Sequence, residues 1–162
     1  MRITVGVLSY CFVASPAWRD DWVWGAPLIV LTVLIHLIGL WVLNQRAYRA
    51  FGQMMERNHP MAVFVMIMAT VTLLSTMLLA LEAGIWAAAY QWIGARPDFK
   101  SGMLYSLGAM TTYGHADLHL EEHWQLLGTI EALDGWLLFG LTTAFMFGMI
   151  QKVLLLTGRE VQ

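Results

Sequence analysis

Charged residues are scarce in this chain. Of its 162 residues, 12% are Asp, Glu, Lys or Arg and 59% are apolar, whereas soluble domains average about 25% charged and about 45–50% apolar residues. So few charges do not cover a folded surface in water, which excludes a soluble globular domain. The composition predicts an integral membrane protein whose surface contacts the lipid bilayer.

Cysteine and basic residues are also few. Cys11 is the single cysteine, which excludes an intramolecular disulfide and a cysteine metal cluster. Only 9 basic residues stand against 11 acidic ones, and a nucleic-acid partner would require a basic excess. The sequence contains no cofactor fingerprint and no nucleophile paired with a base, so we expect neither an enzyme nor an organic cofactor.

Three long apolar runs predict three transmembrane helices. Residues 25–44 carry no formal charge, residues 61–95 carry only Glu82, and residues 135–151 are again uncharged. Each run reaches the roughly 17–25 residues that a helix needs to cross a hydrocarbon core of about 30 Å. The expected all-α order is an N-terminal interfacial segment (1–24), the first span (25–44), a cytoplasmic loop (45–60), the second span (61–95), a pore-helix and loop region (96–127), the third span (128–156) and a cytoplasmic tail (157–162).

A fourth apolar stretch, residues 101–110, is too short to span. As a helix it reaches about 15 Å, half of the hydrocarbon thickness, and irregular sequence follows over residues 111–122. This pattern is typical of a re-entrant segment, which membranes tolerate only where it is buried in protein or lines water. The alternative is an amphipathic helix that lies on the membrane surface.

The C-terminal end of such a half-helix would point into the membrane. Its partial negative charge favours a cation there, and the following residues, if extended, present carbonyl groups that replace an ion's hydration shell. One loop does not make a ring, so this arrangement requires a symmetric oligomer, most simply a tetramer.

The residues after the half-helix resemble the selectivity filter of pore-loop potassium channels. Residues 112–117 read T-Y-G-H-A-D, where that family has T-V-G-Y-G-D. With one extra helix before the helix, pore loop and helix unit, the chain is similar to small bacterial three-span ion channels over residues 61–153. The resemblance implies a homotetrameric cation channel in a bacterial inner membrane, with potassium or sodium ions bound in a filter made of Thr112, Tyr113, Gly114, His115, Ala116 and Asp117.

Three filter positions depart from the family pattern. Ala116 replaces a glycine whose positive φ lets successive carbonyls face one axis, and Ala pays a steric penalty there. Tyr113 is bulkier than the family's Val, and His115 replaces a Tyr that packs against the pore helix. These departures leave a non-conducting assembly or sensor protein as an alternative to a channel.

Two carboxyl groups are expected at membrane depth, Glu82 in the second span and Glu131 in the third. Acidic groups are expensive there and are functional candidates by default, so we expect both to support the filter by hydrogen-bonding the pore loop. The alternative is an interfacial carboxylate that reaches water. His36 lies midway in the first span, where hydrogen bonding to a neighbouring helix is a commoner role than haem ligation.

Small residues repeat along the third span. Gly140, Ala144 and Gly148 recur every four residues, a spacing that permits close approach of helices in lipid. By the family resemblance, Gly140 is also a candidate gating hinge.

A histidine-rich segment follows the filter. It supplies His115, Asp117, His119 and His123, which are suitable ligands for zinc and similar ions, so divalent metal binding or transport is a further hypothesis. The alternative is a solvated loop that keeps the pore mouth anionic.

The basic residues indicate the orientation in the membrane. Placing the loop 45–60 and the C-terminus in the cytoplasm puts five basic residues inside and four outside, in the direction of the positive-inside rule. The N-terminus is then outside, and residues 1–17, which weakly resemble a signal peptide, are expected to be retained.

Overall fold

Helices form most of the chain that the structure describes. The computed structural model describes residues 16–54, 60–114 and 118–159, so the predictions for residues 1–15 lie outside these ranges. Within them there are no strands, and a short 3-10 helix (Glu122–Trp124) accompanies the α-helices. The α-helices are α1 (Pro16–Met54), α2 (Pro60–Trp92), α3 (Phe99–Met110) and α4 (Gln125–Arg159).

Three of these helices are long and apolar enough to cross a membrane. The candidate spans are Trp18–Ala50, Met61–Trp92 and Glu122–Lys152, which confirms the predicted all-helical, three-span architecture. The 33 residues of the first span reach about 50 Å at 1.5 Å per residue. A helix of that length tilts or projects beyond the hydrocarbon core.

The predicted boundaries of the first helix are wrong. α1 begins at Pro16 and ends at Met54, so it extends into the predicted interfacial segment and through residues 45–54 of the predicted loop. Proline suits a helix start, because its φ is fixed near the helical value and its missing N–H is not needed there. Beyond residue 44, Ala47 is buried against α2 and α4. The charges therefore end the apolar run without ending the helix.

The predicted half-helix is present as α3. It has 12 residues, about 18 Å, and begins at an N-cap in which Asp98 Oδ1 accepts a hydrogen bond of 2.9 Å from the Ser101 backbone N–H. The hydrogen bonds from the Ser101 backbone and side chain lower the pKa of the Asp98 carboxyl. The cap satisfies one of the free N–H groups at the helix start.

α3 lies against α2 and α4, and α1 packs against the same two helices. Glycines permit two of the close contacts of α3: a Cβ atom at Gly102 would lie 3.1 Å from the Ala87 carbonyl oxygen, and one at Gly135 would lie 2.6 Å from Met110 Cα. The start of α3 is therefore held on α2, and its last residue is held on α4.

Two apolar cores form at opposite ends of the bundle. The end at which α3 lies, here called the loop end, buries Trp86, Tyr90, Ala95, Leu120, Leu127 and Ile130. The opposite end buries Ala47, Ile67, Val71 and Met149. Polar side chains are buried between these two clusters, and they form the candidate site.

Candidate functional site

The chain turns tightly at the C-terminal end of α3. Thr111 N–H donates to the Leu107 carbonyl at 3.1 Å, and Gly114 N–H donates to the Gly108 carbonyl at 3.2 Å. Thr112 and Gly114 have φ values of 57° and 60°, in the left-handed region that helix C-terminal caps commonly use. Over residues 111–114 the expected extended strand is thus wrong, because the last carbonyls of α3 are bonded by the nearest N–H groups.

These turn residues are exposed. Thr111, Thr112 and Gly114 are exposed, as is Tyr113, with 78% of its surface accessible. His115, Ala116 and Asp117 lie outside the described residues, so their role in a filter stays a prediction. The matched Thr112 and Gly114 therefore lie on the protein surface at the end of the half-helix.

A cavity of about 360 Å³ opens beside this turn. It lies between α2, α3 and α4, and its walls are mainly apolar. Its lining residues are Leu79, Leu107, Met110, Thr111, Thr112, Gly135, Trp136 and Phe139.

Glu131 connects α4 to the half-helix, as predicted. Its carboxyl is fully buried and accepts a hydrogen bond of 2.6 Å from the Tyr90 hydroxyl and a short one from the Ser106 hydroxyl. Ser106 belongs to α3 and Tyr90 to α2. One side chain therefore joins three helices directly behind the exposed turn.

Glu82 has a different partner from the one predicted. Its hydrogen bonds go to His36 of α1, whose Nδ1 lies 2.9 Å from Oε1 and 3.1 Å from Oε2, and not to the loop. The reason is its place on α2, one turn before Trp86, on a face that packs against α1. Glu82 therefore supports the packing of the first helix, which a sequence position alone does not reveal.

His36 completes a second junction of three helices. Its Nε2 lies 2.9 Å from the Thr142 hydroxyl of α4, so both ring nitrogens have protein partners. This is the predicted bonding to neighbouring helices, and it leaves neither nitrogen for a haem iron. The two bonds join α1, α2 and α4 near the middle of their lengths.

Asp134 is a buried site residue that the sequence pattern missed. It was expected near the membrane interface, but it is fully buried. Its Oδ2 lies 2.7 Å from the Thr32 hydroxyl and accepts a bond of 2.9 Å from the Trp86 indole N–H. The spacing of Glu82, Trp86 and Tyr90, four residues apart, is a signal that predicts one polar-facing stripe on α2.

Asp21 is likewise buried, although it lies in the segment predicted to be interfacial. Its carboxyl accepts the backbone N–H of Leu127 in the first turn of α4. A negative charge or hydrogen-bond acceptor is favourable at a helix N-terminus. Asp21 therefore ties the start of α1 to the start of α4.

The histidine-rich segment is only partly described. His119 and His123 are exposed, and the His119 carbonyl accepts a bond of 2.9 Å from Arg96 Nη1. In the described part of the chain, no three His, Cys, Asp or Glu side chains come close enough to hold a metal ion. The divalent-metal hypothesis also depends on His115 and Asp117, which are outside that part.

Gly140 lies on the exposed face of α4. A Cβ atom added at Gly140 or Gly148 meets no atom within 4 Å. At these two positions, the small-residue stripe packs against nothing in the described protomer. Its predicted roles, as a packing surface or as a hinge, therefore require another chain or a change of conformation.

Comparisons of the chain with protein-family models, curated proteins and solved structures find no match. The class is defined by the fold and the buried network together. This is a multi-pass membrane protein with three candidate spans and one half-length helix.

Proposed function

We propose that the chain is one subunit of a homotetrameric cation channel of the pore-loop type, with α2, α3, α4 and the following loop around a central axis. One observation carries the proposal. A helix too short to span is held between two spanning helices, and it ends in an exposed T-T-Y-G turn. An amphipathic surface helix would not be fastened in this way by a buried carboxyl such as Glu131.

The electrostatics at the end of α3 suit a cation. The helix C-terminus carries partial negative charge, and the Thr111 and Thr112 hydroxyls line the adjacent cavity. Positive φ at Thr112 and Gly114 alternates with the residue between them, and such alternation turns successive carbonyls to one side. Formation of a full carbonyl ladder requires Gly114 N–H to leave the Gly108 carbonyl.

The exposed surface of α4 suits contact with further copies. Trp136 and Phe139 flank the cavity and are 68% and 66% exposed, and Gly140 follows with open space at its Cβ position. Aromatic groups beside a small residue let helices approach closely in lipid. A fourfold ring of such contacts would bring four T-T-Y-G turns together.

Uptake of thallium, potassium and sodium into proteoliposomes tests the proposal. We expect flux in the wild type and its loss in Gly114→Asp, because the change adds a carboxylate to the turn. Gly94→Asp is the matched control, since Gly94 also has positive φ with open space at its Cβ position but lies in the α2–α3 connection. The proposal is wrong if no cation crosses, or if both variants conduct like the wild type.

A non-conducting assembly protein is the second candidate. The bond from Gly114 N–H to the Gly108 carbonyl favours it, because it holds the turn against α3 instead of in an open ladder. This candidate predicts a tetramer by native mass spectrometry without flux of any of the three ions. The same preparations therefore separate the two functions.

A further inference from the structure

The polar interior of the protomer is unusual for a membrane bundle. Glu82, Glu131, Asp134 and His36 are each fully buried, and we call these four residues the buried network. Among the described residues, the only pairing of a basic and an acidic side chain is His36 with Glu82. Three ionised carboxyl groups would place three negative charges beside at most one positive charge in a low-dielectric interior.

Such an arrangement is unfavourable unless protons are bound. Burying an ion without a partner costs several kcal/mol even after relaxation, and acidic groups in the membrane often belong to proton relays. Neutral donors alone bond two of the three carboxyls. The charge balance is restored when one or more of the carboxyls carries a proton.

The hydrogen bonds at His36 define where one proton lies. The Thr142 hydroxyl donates to the Leu138 carbonyl at 3.0 Å, so its oxygen accepts from His36 Nε2–H. With Nε2 protonated, a single proton remains to be shared between Nδ1 and the Glu82 carboxyl. The pair is neutral overall whether that proton lies on nitrogen or on oxygen.

Asp134 offers a second proton position. The Thr32 hydroxyl lies 2.9 Å and 3.0 Å from the Leu28 and Ile29 carbonyls as well as 2.7 Å from Asp134 Oδ2. Its one proton serves either a carbonyl or Asp134, and in the first case the carboxyl itself donates to Thr32. Asp134 Oδ1 is buried with no partner among the described residues. This carboxyl therefore accommodates both the protonated and the ionised form.

The three carboxyls act as a connected set. Asp134 interacts electrostatically with Glu82, Glu131 and His36, and Glu131 reaches α3 through Ser106. The surrounding titratable and charged groups are Asp21 on α1, Tyr90 on α2, Arg96 in the α2–α3 connection, Tyr105 on α3 and His123 on the 3-10 helix.

Proton access is possible from one end only. At the opposite end, Ala47, Ile67, Val71 and Met149 close the bundle with apolar side chains. At the loop end, Glu131 lies two turns into α4, and Asp21, Arg96 and His119 lie between the network and solvent.

We propose that the buried network is a proton-binding site within each protomer, filled from the loop end, and that its occupancy acts on α3 through the bond between Glu131 and Ser106. A proton from water adds to a carboxylate oxygen, and the network loses one negative charge. The Ser106 hydroxyl then faces a neutral carboxyl and a weaker hydrogen bond. This inference does not depend on whether ions cross the proposed pore.

Infrared spectroscopy of the purified protein in nanodiscs tests proton binding without any ion gradient. We expect a carbonyl band from protonated carboxyl groups that weakens as pH rises and shifts in heavy water. Glu82→Gln, Glu131→Gln and Asp134→Asn each remove part of it, whereas Glu121→Gln, at an exposed position, leaves it unchanged. A wild-type spectrum without a pH-dependent band overturns the proposal, as does a band that survives in the triple variant.

Hydrogen exchange of residues 99–110 tests the link to α3. We expect Glu131→Gln to reduce protection by about tenfold, because a hydrogen bond to a charged acceptor exceeds one to a neutral acceptor by about that factor. Acidification of the wild type is expected to act in the same direction, and in Glu131→Gln it has no further effect beyond intrinsic exchange. Equal protection in wild type and Glu131→Gln would overturn the link.

Discussion

The two halves of the bundle are held together in different ways. From the middle to the loop end, Asp21, Glu82, Glu131 and Asp134 are buried and hydrogen-bonded across helices. At the opposite end, the buried contacts are apolar. In lipid, apolar contacts between helices gain little over contacts with acyl chains. Directed polar bonds therefore specify the packing of the loop-end half, while the opposite half is more loosely specified.

This contrast also separates fixed from mobile parts of the proposed channel. The polar bonds secure α3 and the upper part of α4, which carry the candidate filter turn. Gly140 and Gly148 lie toward the opposite end, with open space at their Cβ positions. Movement of α4 there breaks none of the bonds formed by Glu131 or Asp134.

Removal of His36 is expected to have the largest effect on stability. His36→Leu leaves Glu82 buried without its basic partner, and breaking a buried pair in this way costs about 3–5 kcal/mol. Ile67→Val, a change in the opposite half, is expected to cost only about 0.5–1.5 kcal/mol. Unfolding in detergent with increasing denaturant measures both.

The double variant His36→Leu with Glu82→Leu serves as the control. It removes the unpaired carboxyl as well, so we expect it to regain part of the lost stability. Equal destabilisation by His36→Leu and the double variant would show that packing, and not the unpaired charge, explains the effect.

A smaller effect is expected at the contact between α3 and α4. In Gly135→Ala the new Cβ would lie 2.6 Å from Met110 Cα, so the helices separate at a cost of about 1–3 kcal/mol. Gly140→Ala on the same helix has open space and gains helix propensity of up to about 1 kcal/mol. The thermal midpoints in detergent are expected to fall for the first variant only, and equal shifts would contradict the close packing of α3.

The N-cap of α3 is expected to have the smallest effect, with a defined pH dependence. The pKa of Asp98 is lowered in the folded protein from its ordinary value of 3.8. Its contribution is therefore present above about pH 4 and is lost as pH falls through the lower folded value. The thermal midpoint of Asp98→Ala should lie below that of the wild type at neutral pH and converge with it in acid.

Asp98→Asn is the matched control for this cap. Asparagine retains the side-chain oxygen that accepts the Ser101 N–H but does not titrate. We expect it to keep most of the wild-type stability without this pH dependence. A difference between wild type and Asp98→Ala that stays constant at all pH values would contradict the assignment.

Hydropathy predicted which segments are helices better than where they end. The uncharged run 25–44 located the first span, but α1 continues to Met54, because charged and polar residues mark the edge of the lipid and still propagate a helix. The half-helix was predicted as residues 101–110 and is Phe99–Met110. Its length is readable because a membrane core sets a minimum that this stretch does not reach.

The candidate site was predictable in part. Glu131 was recognised because acidic groups at membrane depth require partners, and its bond to Ser106 agrees with the predicted support of the half-helix. The partner of Glu82 and the burial of Asp134 were not predictable, since each depends on which face of a helix meets α1. The moment of an almost uniformly apolar helix gives little information about that face.

The amino-acid sequence by itself determined that the chain lives in a membrane, that three segments span it and that a fourth does not. Those properties follow from local composition and length measured against a fixed bilayer thickness. Only the tertiary structure decided that Glu82, Asp134 and Glu131 share one interior with His36, and that the T-T-Y-G turn is exposed at its edge. Hydrogen bonds between side chains as far apart as Thr32 and Asp134 form only when separate helices pack, and their geometry is not encoded in any single segment.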